Sequence, residues 1–473
     1  MGLIHLPQFD FEQAAAKGAA DKRLRAAVTN NTFRKQQGRE IRWREMPDIQ
    51  AARRLASEIK QHTLEHLDYY LDQLKAAVER NGGKVYLAPD GEEARKIIFD
   101  IIAKTNSKRI IKSKSMASEE IELTAHLEKA GLDVVETDLG EFIVQVSHDR
   151  PSHLVAPIIH KDRGSIATVF SQYFGTPYND DPPTLTRQAR AFLRDRFRRA
   201  DLGMTGGNFL IAETGQVCVV ENEGNARQSL TTPRVLVSLV GIEKLVPRMA
   251  DLAVMIKMLA RSSTGQSMTV YTSIFGGPRK AGEKDGPEEF HLVLLDNGRT
   301  EILADPEYRE ILRCIRCGAC LNVCPIFRNI GGHAYGSVYP GPIGALLSPL
   351  LGGLENYSDL PQASTLCGAC YHACPVKIDI PRHLVSLRRD IIQGRLDGRW
   401  ERMFYRLWAR GMKSPFLYRT IGAIQRWDLR RRAEGKGWIS RLPGFAAGWT
   451  RIRDLPAPAS RSFHQIWKER KTK

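Results

Sequence analysis

No stretch of the sequence is both apolar and long enough to cross a lipid bilayer. The most apolar segment, residues 341–354, spans 14 residues and contains two prolines and four glycines. A membrane-spanning helix needs about 20 apolar residues. The N-terminus also lacks the charged and then apolar pattern of a secretory signal. We therefore expect a cytoplasmic protein without a transmembrane helix.

Nucleotide-binding signatures are missing as well. The sequence has no G-x-G-x-x-G run after a predicted strand and no Walker A motif. Hydride or carbon chemistry must then belong to a partner protein or to a cofactor that the sequence does not reveal.

Cysteine is almost absent outside a single region. Seven of the eight cysteines lie between residues 314 and 374, and Cys218 alone lies elsewhere, in an apolar β-like run. A cytoplasm keeps thiols reduced, so disulfides are disfavoured and the cluster indicates metal ligation or catalysis. We expect Cys218 to be a small core residue.

Length and composition favour a globular chain of two or three domains, since its 473 residues are 42% hydrophobic and 26% charged. Apolar residues at helical spacing predict a helical region over residues 1–80. Short β-rich runs then alternate with helical segments, which predicts an α/β domain over residues 70–295. The clearest β-rich runs are 84–88, 109–112, 133–136, 142–146, 216–220 and 235–239. A cysteine-rich domain over 300–394 and a basic, tryptophan-rich segment over 395–473 follow.

The cysteines form two runs typical of ferredoxin-type iron–sulfur sites. Residues 314–325 follow the pattern C-x2-C-x2-C-x3-C-P, and residues 367–375 repeat its second half. In two-cluster ferredoxins the fourth cysteine of each run ligates the other cluster. Structural zinc usually takes two separated pairs of ligands, which does not fit four thiols within 11 residues. We therefore predict two iron–sulfur clusters.

Crossed ligation gives the two clusters unequal numbers of thiolates. The first cluster takes Cys314, Cys317, Cys320 and Cys374, and the second takes Cys324, Cys367 and Cys370. The position where the second motif should begin is Ser364. The second cluster is therefore either [3Fe–4S], or [4Fe–4S] completed by Ser364, by His372, by solvent or by a group from a partner.

Several motifs together resemble the lactate-utilisation iron–sulfur protein B family. They are the two cysteine runs with the linker 332–344, and upstream the segments 112–120, 136–141, 151–161 and 203–215. The resemblance covers nearly the whole chain in the family's order. It implies an electron-transfer subunit, itself not catalytic, of a cytoplasmic system that oxidises L-lactate to pyruvate. It also implies two [4Fe–4S] clusters, although the second motif has only three cysteines.

The resemblance further implies a fold and partners. The first domain is expected to be a lactate-utilisation α/β domain like ribose-5-phosphate isomerases and CoA transferases, followed by an all-helical ferredoxin-type domain. The expected partners are a cysteine-rich-domain protein and a second protein with a lactate-utilisation domain. Two alternatives stay open: an iron–sulfur subunit for another 2-hydroxy acid such as glycolate, and a metabolite-binding regulator with structural or sensing clusters.

A candidate anion or metabolite site lies in the α/β domain. Lys112, Lys114 and Ser115 follow a predicted strand, and ligands of open α/β sheets gather at the carboxyl ends of strands. Glu213 joins this candidate site, and the glycine-rich segment 203–207 offers backbone N–H groups. The alternative is a pair of turns beside a solvated basic edge. No catalytic acid or base is assigned.

The positive charge is concentrated at the C-terminal end. The net charge of the chain is +17, which by itself suggests nucleic acid or an anionic membrane. Residues 395–473 contain 20 Lys and Arg against six Asp and Glu, a net +14, and six of the seven tryptophans. This composition favours peripheral contact with an anionic membrane or an acidic partner, or a wrap over the chain's own domains. We expect no nucleic-acid binding.

Overall fold

The computed structural model describes residues 9–396, 398–433, 435–451 and 453–471, and its contacts divide the chain into two units, up to Gly394 and from Arg395. The strands are β1 Lys84–Ala88, β2 Arg109–Lys112, β3 Asp133–Glu136, β4 Leu202–Thr205, β5 Phe209–Ile211, β6 Gln216–Glu221, β7 Val235–Gly241, β8 Leu245–Val246, β9 Tyr271–Phe275, β10 Glu289–Leu295, β11 Trp438–Ile439 and β12 Leu455–Pro456. The α-helices are α1 Phe11–Ala20, α2 Lys22–Arg44, α3 Ile49–Glu65, α4 Leu67–Arg80, α5 Gly91–Lys104, α6 Met116–Glu120, α7 Leu123–Lys129, α8 Leu139–Val146, α9 Arg163–Phe174, α10 Pro182–Arg199, α11 Asn225–Thr231, α12 Met249–Ser263, α13 Arg299–Ala304, α14 Ala319–Asn322, α15 Pro325–Ile330, α16 Gly341–Gly352, α17 Ala369–Ala373, α18 Ile380–Gln393, α19 Arg399–Lys413, α20 Pro415–Arg432 and α21 Phe463–Lys471.

The N-terminal region is helical, as its sequence pattern predicts. Aspartates begin its first three helices: Asp10, Asp21 and Asp48 each accept a hydrogen bond from a backbone N–H of the first turn. Such caps satisfy donors that have no partner inside the helix. Helices α1 and α2 both pack against α15 of the cysteine-rich region.

The main sheet has six parallel strands in the order β1-β10-β7-β4-β2-β3. Every residue of β7 is buried. Its alternate residues belong to two apolar clusters: Val235, Val237 and Leu239 to one, and Leu236 and Val240 to the other. Side chains alternate between the faces of a strand, so both faces of this sheet are covered. This confirms the α/β core with a parallel sheet.

A second, four-stranded sheet has the order β8-β5-β6-β9. Strand β5 pairs antiparallel with β6 and parallel with β8. Cys218 lies in β6 and is completely buried, which confirms its prediction as a core residue. Burial raises the pKa of its thiol to about 12.

One predicted β-rich run is wrong. Residues 142–146 lie in helix α8, where Phe142, Ile143 and Val144 are buried. The backbone N–H of Glu141 donates to the carboxylate of Asp138 at 3.0 Å and caps this helix. Four of these five residues are apolar, a pattern that fits a buried helix as well as a strand, and here the cap selects the helix.

The cysteine-rich region carries α14 to α18 and belongs to the first unit. Helix α16 includes most of the apolar segment 341–354 and is buried along nearly its whole length. It is thus a core helix.

The second unit contains α19, α20, α21 and the antiparallel pair of β11 with β12. Helix α19 carries arginine or lysine at residues 399, 402, 406, 410 and 413, a spacing of three or four that places them on one face. Trp400, Phe404, Leu407 and Trp408 of the same helix are all more than half exposed. None of the helices among the described residues has the length and hydropathy of a membrane span.

Candidate metal centre

The two cysteine runs share a local backbone conformation. Cys317 lies between two residues of positive φ, Arg316 at 58° and Gly318 at 71°, and α14 follows. Cys367 likewise lies between Leu366 at 53° and Gly368 at 80°, with α17 next. Cys317 and Cys367 thus have the same left-handed backbone on both sides.

The thiols form two groups that interact electrostatically. Burial first, and then the nearby sulfurs of Cys314 and Cys374, raise the pKa of Cys317 well above its usual range. Burial, and then the sulfurs of Cys324 and Cys367, raise the pKa of Cys370 to about 12. Burial, and then sulfurs of both groups, that of Cys370 among them, raise the pKa of Cys320. The two groups are therefore adjacent.

Backbone N–H groups point at several of these sulfurs. Arg316 N lies 3.4 Å from Cys314 Sγ, Phe327 N lies 3.5 Å from Cys324 Sγ, and Ile378 N lies 3.4 Å from Cys374 Sγ. All seven thiols are free of disulfides. Reduced thiols that accept N–H bonds suit thiolate ligands of iron–sulfur clusters, whose potentials such bonds tune. The residues present therefore fit this cofactor.

The two groups differ in their exposure to solvent. Cys317, Cys320 and Cys374 of the first group are buried and Cys314 is partly buried. In the second group Cys367 is exposed. The second group thus reaches the protein surface, whereas the first lies deeper.

Cationic side chains surround the first group. Arg53 is buried and donates to the carbonyl oxygens of Cys374 at 2.9 Å and Tyr371 at 3.0 Å. Burial opposes the charge of Arg316, but the sulfur of Cys314, Tyr339 and Glu243 raise the pKa of its guanidinium above the usual range. Fixed positive charge favours the extra negative charge of a reduced cluster.

A buried ionic network connects this group to the α/β domain. Arg299 Nη2 lies 2.6 Å from Glu120 Oε1, and Arg299 Nε lies 2.5 Å from Glu243 Oε2. The second oxygen of Glu243 pairs with Arg316 at 3.2 Å. The hydroxyl of Tyr339, in the linker between the two cysteine runs, donates to Glu120. Burial alone would raise the pKa of Glu243, but Arg299 and Arg316 lower it to about 2.

A cavity of about 740 Å³ lies along the edge strand β3, all four residues of which line it. Glu136, the last residue of β3, lines it, and Lys112, the last residue of β2, is its neighbour in the sheet. Residues of the linker between the cysteine runs, among them His333, also line the cavity. Open α/β sheets bind ligands at the carboxyl ends of their strands, and Glu136 is the lining residue at that end of β3.

The structure brings together three of the four predicted anion-site residues. Lys112 Nζ pairs with Glu136 at 2.7 Å and with Glu119 at 3.3 Å, and Lys114 pairs with Glu141. The hydroxyl of Ser115 caps α6. Both lysines are thus bound to carboxylates of the protein itself.

None of the four predicted residues lines the cavity. The fourth, Glu213, has a separate partner. Its carboxylate accepts a hydrogen bond from Met249 N at 3.0 Å, at the start of α12. In the glycine-rich segment 203–207, a Cβ on Gly203 would lie 2.1 Å from Ser229 O, and one on Gly206 would lie 2.8 Å from Ser115 Oγ. These two glycines therefore allow close packing of the chain.

Sequence reasoning missed the network of Glu120, Glu243, Arg299 and Arg316, because these charged residues are far apart in sequence and form no motif. It also missed a cluster of Asp149, His160 and His333, whose ligand atoms lie within 4.8 Å of one another.

Three family profiles match the sequence. They are the LUD domain over residues 71–295, a 4Fe-4S dicluster domain over 310–378, and the C-terminal region of lactate utilisation protein B over 390–472.

Several curated proteins are similar over nearly their full length. Lactate utilization protein B of Bacillus licheniformis is 44% identical, across 98% of this chain and 97% of its own length. The protein of the same name from Bacillus subtilis is 44% identical, across 98% of this chain and 96% of its own. A crystal structure of a DUF162 family protein from Deinococcus radiodurans matches 48% of this chain at 14% identity, with a TM-score of 0.29.

Proposed function

Because this chain belongs to the lactate utilisation protein B family, we propose that it is the iron–sulfur electron-transfer subunit of a system that oxidises L-lactate to pyruvate. The observation that carries this proposal is the pair of adjacent thiol groups. Oxidation of lactate to pyruvate releases two electrons and two protons. Iron–sulfur clusters accept electrons one at a time, so this subunit relays electrons and a partner oxidises lactate.

We propose the crossed ligand assignment for the two clusters. Cys314, Cys317, Cys320 and Cys374 hold the first, and Cys324, Cys367 and Cys370 hold the second. The electrostatic grouping of the thiols supports this division, since Cys374 interacts with Cys314 and Cys370 with Cys324.

The exposure of the thiols suggests different roles for the two clusters. Arginines lie near both groups, Arg53 and Arg316 near the first and Arg328 beside Cys324 of the second, and favour the reduced state of each cluster. The second cluster lies nearer the surface at Cys367. We propose that it exchanges electrons with a partner.

We propose that the remaining members of this system are a cysteine-rich-domain protein and a second protein with a LUD domain. The fold likeness of the first domain to ribose-5-phosphate isomerases and CoA transferases, and a purely helical ferredoxin-type domain, stay predictions. We place the system in the cytoplasm, because a reducing compartment keeps seven thiols available for iron.

We propose that the second unit contacts an anionic membrane surface peripherally. Helix α19 combines a row of basic residues with exposed aromatic ones such as Trp400 and Trp408. A basic helix with an aromatic face suits the interface of an anionic bilayer.

Anaerobic reconstitution tests the relay function. The protein should take up iron and sulfide for two clusters, reduce and reoxidise reversibly, and accept electrons when lactate and the partner proteins are supplied. Cys317→Ala should lose cluster content, whereas Cys218→Ala, which removes the buried thiol of β6, should retain it. Clusters that do not change redox state reversibly would contradict the relay and favour the regulator. Faster reduction by glycolate than by lactate would favour the other 2-hydroxy acid.

A further inference from the structure

The second cysteine loop repeats the first at a constant spacing of 50 residues. The spacing relates Cys317 to Cys367 and Cys320 to Cys370, and it continues to the Cys-Pro pair at the end of each run. At this spacing the counterpart of Cys314 is Ser364. A hydroxyl therefore stands where the first loop has its first thiol.

The backbone around Ser364 shares two features with the first loop. A short 3-10 helix precedes each first position: Arg309–Arg313 ends directly before Cys314, and Leu360–Gln362 ends two positions before Ser364. The second residue after Cys314 or Ser364 has a positive φ in both loops, 58° at Arg316 and 53° at Leu366. A leucine in this region is strained, and such strain persists where the surrounding structure requires it.

The hydrogen bonds of Ser364 also match those of Cys314. Leu366 N donates to Ser364 Oγ at 3.1 Å, as Arg316 N donates to Cys314 Sγ at 3.4 Å. In both loops a guanidinium donates to the carbonyl oxygen of this residue: Arg388 Nη2 at 3.2 Å from Ser364 O, and Arg316 Nη1 at 3.4 Å from Cys314 O. The Ser364 oxygen thus takes the place of a ligand sulfur within its loop.

The other nearby donor, His372, occupies a position that supplies no ligand in the first loop. Its counterpart there is Asn322. The side chain of Asn322 bonds to His153 at 3.3 Å and donates to Ser263 O at 3.4 Å. His372 itself is exposed, and its ring contacts that of the adjacent Tyr371.

We propose that Ser364 Oγ is the fourth protein ligand of the second cluster. The inference rests on the proposed function, because it requires that Cys324, Cys367 and Cys370 hold a cluster. Ser364 binds the fourth iron as an alkoxide: the Oγ–Fe bond forms and the hydroxyl proton passes to solvent. The second cluster is then [4Fe–4S] with three sulfur ligands and one oxygen ligand from the protein.

The test compares the reconstituted full-length protein with Ser364→Ala, Ser364→Cys and the control His372→Ala. Iron is counted and EPR spectra are recorded before and after treatment with one equivalent of ferricyanide, which removes iron from clusters that have an open site. Wild type, Ser364→Cys and His372→Ala should keep about eight irons per chain and stay EPR-silent when oxidised. Ser364→Ala should fall to about seven irons and show a [3Fe–4S] signal.

Two results would overturn the ligand assignment. One is a wild-type protein that forms the [3Fe–4S] signal as readily as Ser364→Ala, which would indicate solvent at that iron. The other is a signal that arises in His372→Ala and not in Ser364→Ala. A wild-type protein that binds no reducible cluster would instead contradict the proposed function. Ser364→Cys should also shift the reduction potential of the second cluster alone, which a purely structural serine would not do.

Discussion

Replacing Arg299 with methionine should destabilise the protein severely. The Arg299 side chain is 2% exposed and pairs with two buried carboxylates, Glu120 and Glu243. Methionine fills the volume of the aliphatic stem but leaves both carboxylates without their shared cation. Glu243 retains Arg316, and Glu120 retains the hydroxyl of Tyr339, so the network keeps some of its hydrogen bonds and acquires one uncompensated negative charge.

The size of the effect follows from that charge. Removing one partner of a buried ion pair costs about 3–5 kcal/mol, because the other charge stays buried and unpaired. A typical domain has a free energy of unfolding of about 5–15 kcal/mol, so Arg299→Met should remove a large part of it. Adding Glu120→Gln removes the excess charge, and the double variant should regain about 1–3 kcal/mol through coupling of the two sites.

Anaerobic urea unfolding measures both effects, with circular dichroism for the fold and visible absorbance for the clusters. The midpoint of Arg299→Met should fall well below that of wild type, and the Arg299→Met/Glu120→Gln midpoint should lie between them. The network would not have the role assigned to it if Arg299→Met cost less than about 1 kcal/mol. A double variant less stable than the single one would equally refute the charge argument.

Three further results are expected. Burial lowers the pKa of His153 to about 3, so the contribution of His153 to the free energy of unfolding is complete above the unfolded pKa of about 6.5. Below that pH the unfolded chain binds a proton that the folded protein does not, and about 2 kcal/mol of the free energy of unfolding should be lost by about pH 5. His153→Gln should flatten the pH dependence of the urea midpoints. Gly203→Ala places a Cβ 2.1 Å from Ser229 O and should cost about 1–3 kcal/mol in urea unfolding, whereas Gly422→Ala, in an open part of α20, should be neutral or stabilising. Trp400→Ser, at a side chain 80% exposed, should weaken co-sedimentation with phosphatidylglycerol vesicles several-fold; equal binding of wild type and variant would argue against membrane contact through α19.

Some elements were predictable because their signals are local. The parallel strands β2 and β7 appear in the sequence as short β-rich runs, and an aspartate marks the start of several helices. Residues 142–146 show where local reasoning fails, since their apolar run suits either a strand or a helix. Helix α8 forms there because Asp138 caps it and its apolar face packs into the core.

The candidate anion site shows a different limit. Lys112 ends strand β2 and Lys114 follows it, and sequence alone makes both available to a ligand. Glu136 and Glu141 pair with them only because β3 lies beside β2 in the folded sheet and α8 follows β3. A pairing between residues more than 20 positions apart leaves no periodic signal in the sequence.

The sequence by itself determined the type of metal chemistry and the location of the charge. The cysteine spacing determines, over a few residues, which sulfurs can reach one cluster. The net charge of the basic segment follows from the number of its charged residues. Only the tertiary structure decided which charges pair around Arg299 and which carboxylates bind Lys112 and Lys114. Those contacts join distant segments, and burial gives them energies that composition does not encode.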